Sequence, residues 1–288
     1  MALLVGVVGA GAYAVGSLYP PAFVTMVKPR EAPAAPHASS EEGIAHTAQI
    51  EKQLMELPLV RHLLSAGDGG KGGENASGRV EGRPSDSIGV LSGSNPSTQS
   101  PSLETSPSSS TAEPYYIASR PYRRFPPSKL LHSLTAGTLR GPGRFAVPPL
   151  IVAKTKAGAA AEGGHEGDAY AFVHLGRSLC GHDGIIHGGL LATICDEAFA
   201  RTAFFSLPSK VGVTARLELD YRAPTYADQF VVIQTSLVEN RGRKAVVQGE
   251  IRDMNGKLLV SGKAIFVEPK FAKFLDTSLV KDAMDTHD

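Results

Sequence analysis

His187-Gly188-Gly189-Leu190-Leu191-Ala192-Thr193-Ile194-Cys195-Asp196-Glu197-Ala198 is the stretch that decides the reading of this chain. Apolar or small residues continue on nearly every side until Arg201, which predicts a helix from about His187 to Ser206 buried on most sides. A glycine pair opens the helix. Its first amides lack intrahelical acceptors and the dipole there is positive, so a developing oxyanion is favoured, and two missing Cβ atoms let a carbonyl approach the backbone. Asp196 is an acid inside an otherwise apolar helix. A carboxylate there needs a partner, for which Arg201 and Arg216 are candidates, or a chemical role. Asp196 lies seven residues past Gly189, roughly 10 Å along the axis, too far for both to act on one carbon within a subunit. If they act together, the glycines belong to a second subunit, which predicts a homo-oligomer with the site at a dimer interface.

The flanks of this helix read as strands. Before it come residues 144–153, with Pro148 and Pro149 forcing an edge or bulge, then Ala169–Leu175 and a Gly-rich loop over 180–186. After it, Val211–Tyr221 alternates, with Val211, Val213, Ala215, Leu217, Leu219 and Tyr221 on one face and Thr214, Arg216, Glu218 and Asp220 on the other. Gln229–Glu239 is apolar and β-branched, and Ala245–Arg252 and Leu258–Glu268 flank the hairpin signal Asn255-Gly256. Two strands, one long helix and then antiparallel strands make an α+β domain over 125–270, in which a curved antiparallel sheet wraps a central helix.

HGGLLATICDEA, with nine positions from His187 to Asp196, resembles the His-Gly-Gly helix motif of the hotdog-fold acyl-CoA thioesterases. Its pattern is nearest to the phenylacetic-acid-pathway and thioesterase-superfamily-member groups, and the resemblance covers roughly residues 140–268. It implies hydrolysis of acyl-CoA to free acid and CoA, with no metal or redox cofactor. It assigns Gly188 to the oxyanion hole, Asp196 of the other subunit to the general base or nucleophile, and His187 to fixing the loop. Thr214 is assigned to holding the attacking water. Gly189, His182 and Arg243 are expected to contact substrate, Arg243 through the CoA phosphates, and a dimer or dimer of dimers is implied. The sequence departs from the pattern before the motif, where relatives carry Asn or Gln and this chain has Gly181-His182-Asp183. That departure keeps a non-catalytic acyl-CoA-binding or scaffold protein open. A hotdog hydratase is a further alternative, since Asp183 and His187 stand four apart, but its usual Asn-Pro is absent.

The rest of the chain separates into other kinds of sequence. Residues 2–21 carry no charge, and as a helix about 18 residues long they span roughly 27 Å, which predicts a single-pass transmembrane anchor. Pro20 and Pro21 end it, and Lys28 and Arg30 follow. Residues 39–64 read as a helical segment capped by Ser39 with Glu42, interrupted at Pro58, with Ile44, Ala48 and Leu54 at mixed helical spacing. Residues 66–113, rich in Gly, Ser and Pro, read as a disordered linker. The anchor together with YRRFPPSKLLHSLTAGTLRGPG resembles a fungal group of mitochondrially associated hotdog proteins, so a mitochondrial membrane is the favoured site. A net charge of +1 gives no electrostatic pull toward nucleic acid. Cys180 and Cys195, the two cysteines present, read as buried thiols.

Overall fold

The computed structural model describes residues 34–67, 113–123, 125–182, 184–270 and 272. The expected anchor over 2–21 and most of the expected linker lie outside these residues. Among the described residues, no helix is long and apolar enough to cross a membrane.

The elements in chain order are α1 (Glu41–Glu56), α2 (Pro58–Gly67), β1 (Tyr116–Ser119), a single turn α3 (Pro127–Leu130), β2 (Leu150–Lys154), α4 (Lys156–Glu162) and β3 (Ala169–Leu175). A two-stranded ribbon of β4 (Cys180–His182) and β5 (Ile185–Ile186) leads into the central helix α5 (Gly188–Ser206). Four strands follow, β6 (Val213–Tyr221), β7 (Gln229–Arg241), β8 (Lys244–Asp253) and β9 (Leu258–Val267). Seven strands form one sheet in the order β1-β2-β3-β7-β8-β9-β6, and every neighbouring pair is antiparallel. The sheet therefore begins at Tyr116, ahead of the expected boundary at 125. The first strand of the expected pair is shorter than 144–153: Pro148 and Pro149 precede β2 rather than bulge within it, because neither can donate to the ladder.

Helix α5 lies against β6, β7, β8 and β9. Its Leu191, Ile194, Cys195, Ala198, Phe199 and Ala203 enter the main core with Val231, Ile233, Val247, Ile251 and Phe266 from the sheet. The closest approach is made by Phe199, fully buried, whose ring sits over Gly249 and Gly262, a cross-strand pair on β8 and β9. A Cβ at Gly249 would stand 2.4 Å from that ring, so the glycine is what lets helix and sheet meet there.

The opposite face of the sheet is divided. Over β1, β2, β3 and β7 it is apolar, presenting Tyr116, Leu150, Val152, Phe172, Phe230 and Val232. The α1–α2 hairpin covers that half with Ile50, Leu54, Val60 and Leu63, each contributing about 1.5–3 kcal/mol of burial. Over β8, β9 and β6 the same face carries Gln248, Glu250, Arg252, Lys263 and Glu218 and has no such cover. The capping of α1 differs from expectation. Ser40, not Ser39, caps the helix by accepting from the Gly43 amide, while Ser39 bonds His37. Ile44 faces outward, 60% exposed, while Ile50 and Leu54 face inward. Pro58 ends α1 as expected but also opens α2, where its missing N–H costs nothing.

Candidate functional site

The first turn of α5 is built around His187. Its backbone is extended (φ −61°, ψ 128°), and its Nδ1 accepts the Gly189 amide at 2.9 Å, making it the N-cap. The Leu190 and Leu191 amides both donate to the His187 carbonyl. Of the first four amides of the helix, Gly188's alone has no acceptor among the described residues. Gly189, expected to contact substrate, is instead occupied by the cap. A Cβ there would stand 3.0 Å from the His187 ring, so this glycine serves the histidine. The Tyr221 hydroxyl donates to the Gly188 carbonyl at 2.8 Å and so holds the Gly188–Gly189 peptide against β6.

Two turns further along, the Thr214 hydroxyl donates to Asp196 Oδ1 at 2.7 Å. The strict alternation of β6 places Thr214 on the polar face with Arg216, away from the helix. A bulge at Ala215 reverses this. Thr214 pairs with Phe266 and Arg216 with Ile265, so Ala215 is the extra residue and Thr214 shares the helix-facing side with Leu217 and Phe266. The bulge also breaks the expected apolar face, leaving Val213 54% exposed. Tyr221, at the far end of the strand, is 53% exposed. Among the described residues strand β6 pairs only with β9, so its outer edge meets no other described strand. Both halves of the site, Asp196 with Thr214 and Gly188 with Tyr221, therefore lie along one open edge.

The two arginines expected as structural partners of Asp196 bond elsewhere: Arg216 pairs with Glu218, and Arg201 donates to Ser119. Cys195, beside the acid in sequence, is buried, and burial followed by the Asp196 charge pushes its thiol up to about 12. It stays protonated and is no nucleophile at neutral pH. His182 sits exposed on the β4–β5 ribbon just before His187. Arg243 lies on the β7–β8 turn and donates to the Glu268 carbonyl at 3.0 Å. Among the described residues, no bond joins it to Gly188 or Asp196.

Sequence reasoning missed two features. Tyr221 was read only as the last apolar residue of an alternating strand. Glu197 is the other: it accepts the Tyr122 hydroxyl at 2.5 Å and the Thr135 hydroxyl at 3.0 Å. Burial and then the Glu197 charge hold the Tyr122 hydroxyl protonated well above the usual phenol range. No local signal in the sequence links positions 122 and 197.

With this geometry in hand, the similarity of the chain to known proteins is informative. Residues 183–260 match the Thioesterase superfamily. A UPF0644 protein of Schizosaccharomyces pombe is 35% identical over 53% of this chain and 58% of its own length. An uncharacterised mitochondrial protein of Candida albicans is 31% identical over 52% of this chain and 66% of its own. Acyl-coenzyme A thioesterase THEM4 of Rattus norvegicus is 33% identical over 32% of this chain and 40% of its own. A solved thioesterase superfamily protein shares 26% identity over 42% of this chain and 54% of that one, with a TM-score of 0.36. The chain thus spans less than two thirds of the length of these curated relatives. It carries a thioesterase-superfamily domain of the hotdog type, with fungal mitochondrial proteins among its relatives.

Proposed function

We propose that this protein hydrolyses acyl-CoA thioesters, with Asp196 of one subunit acting on a carbonyl held by the Gly188 amide of its partner. The observation that carries the reading is the pairing of Asp196 with Thr214 on the open β6 edge, at the helix whose first amide is left without an acceptor. Asp196 and Gly188 are separated by about 12 Å of helix, so a second copy pairing along β6 is what brings the two halves to one carbon. The apolar exposure of Val213 and Tyr221 on that edge supports such a pairing.

In the reaction, water held between Asp196 and Thr214 adds to the thioester carbonyl as its proton passes to the carboxylate. The oxyanion accepts the Gly188 amide. The C–S bond then breaks, the CoA sulfur takes the proton back, and free acid is released. No group beyond the CoA of the substrate takes part. The similarity to THEM4 supports this substrate class, and the mitochondrial name of the Candida relative supports a mitochondrial site. Attachment to a membrane through residues 2–21 completes the proposal.

The test is free-CoA release by the purified full chain against short, medium, long-chain and aromatic acyl-CoAs, beside Asp196→Asn. Hydrolysis that falls by about 10²–10⁴ on loss of the base supports the reading. CoA binding by a folded oligomer that releases no CoA from any thioester overturns it in favour of an acyl-CoA-binding protein.

A further inference from the structure

A cavity of about 280 Å³ lies between α5 and the sheet, roofed by the strap of residues 121–149. Its walls are apolar, with Phe125 and Phe145 from the strap, Val173 from β3, and Ile194, Ala198 and Phe204 from α5. Polar groups stand at one place only, where Glu197 accepts the Tyr122 and Thr135 hydroxyls beside Arg201. Neighbouring positions on a helix point about 100° apart. Asp196 therefore turns toward β6 while Glu197 turns toward the strap, and the cavity opens on a different face of α5 from the proposed hydrolytic site.

Two observations point to an occupant. The cavity is partly open to solvent, and a concave site with apolar walls and a few convergent polar groups is the usual form of a small-molecule site. Independently, Tyr122 is held at φ 69°, in the left-handed region where a bulky residue is a genuine outlier. Such strain persists where the surroundings over-determine it, and it concentrates at ligand clamps. Here it aims the Tyr122 hydroxyl at Glu197, across the polar edge of the cavity.

We propose that the cavity under the strap binds one unbranched hydrocarbon chain, entering past Tyr122, Thr135 and Glu197. The chain arrives either as the acyl part of a CoA ester or as a free lipid. Its binding does not depend on whether Asp196 hydrolyses anything.

The experiment is thermal melting of the full chain with a homologous series of 1-alkanols and, separately, of S-alkyl-CoA thioethers, which cannot be hydrolysed. The expected result is a rise in Tm that grows with chain length and then declines once the chain outgrows the cavity. Asp196→Asn should retain it, and Ala198→Phe, which fills the cavity from α5, should lose it. Ala171→Leu fills it from β3 and serves if the first variant does not fold. A rise with the thioethers alone identifies a CoA-borne chain, and a rise with both series identifies a site for free chains as well. Either supports the proposal. No rise in either series, a rise without a length optimum, or the same rise in the filled variants overturns it. Because the readout is binding, failure here is distinguishable from failure of hydrolysis.

Discussion

Gly188 occupies the first helical position of α5, and the residue before it, His187, has the extended backbone that a following proline demands. Proline is favoured at that position because the N–H it lacks has no intrahelical acceptor. Gly188→Pro therefore removes one amide while leaving the helix and its His187 cap in place. If that amide polarises the thioester carbonyl, kcat should fall by about 10²–10³ with unchanged helicity by circular dichroism. Retained activity in a folded Gly188→Pro protein would place the oxyanion elsewhere. Thr214 illustrates the same scale from the other side. Its hydroxyl meets Asp196 only because the bulge at Ala215 turns it toward the helix.

At the scale of elements, the α1–α2 hairpin is a cover for one half of the sheet. Leu54 is fully buried against the apolar residues of β1, β2, β3 and β7, and Arg120, itself buried, pairs with Glu51 of α1 while donating to the Pro148 carbonyl at 2.8 Å. The hairpin is thus joined to the strap as well as to the sheet. Leu54→Ala removes a core side chain at a cost of about 2–5 kcal/mol. Hydrogen exchange should show α1 and α2 losing protection while α5 and β7–β9 keep theirs, since the two cores lie on opposite faces of the sheet. Loss of protection throughout would mean that hairpin and sheet fold as one cooperative unit.

For the whole molecule, the outer edge of β6 has no partner strand among the described residues. Asp196 and Gly188 sit on one helix but cannot serve one carbon, so catalysis by both requires two copies. Mixing Asp196→Asn with Gly188→Pro subunits tests this directly. Each homodimer lacks one component at both sites. A mixed dimer regains one complete site, from the Asp196 of one subunit and the Gly188 of the other. Activity should appear on co-refolding the two inactive variants and be absent from either alone. A mixture as inactive as its parents would confine the chemistry to a single subunit.

The sequence by itself determined the central helix, its cap and the strands around it. Their signals are local: a glycine pair, an apolar run, alternation and an Asn-Gly turn. It also singled out the candidate residues of α5, because an acid in an apolar helix and an amide at a helix start are conspicuous without neighbours. Only the tertiary structure decided what those residues meet. Thr214 reached Asp196 through one inserted residue that alternation does not reveal, and Tyr221 reached Gly188 because β6 runs beside the helix. Tyr122 and Glu197, 75 positions apart in the chain, became partners because the strap folds back over α5. Contacts of that kind depend on register and packing across long separations, and no local pattern encodes them.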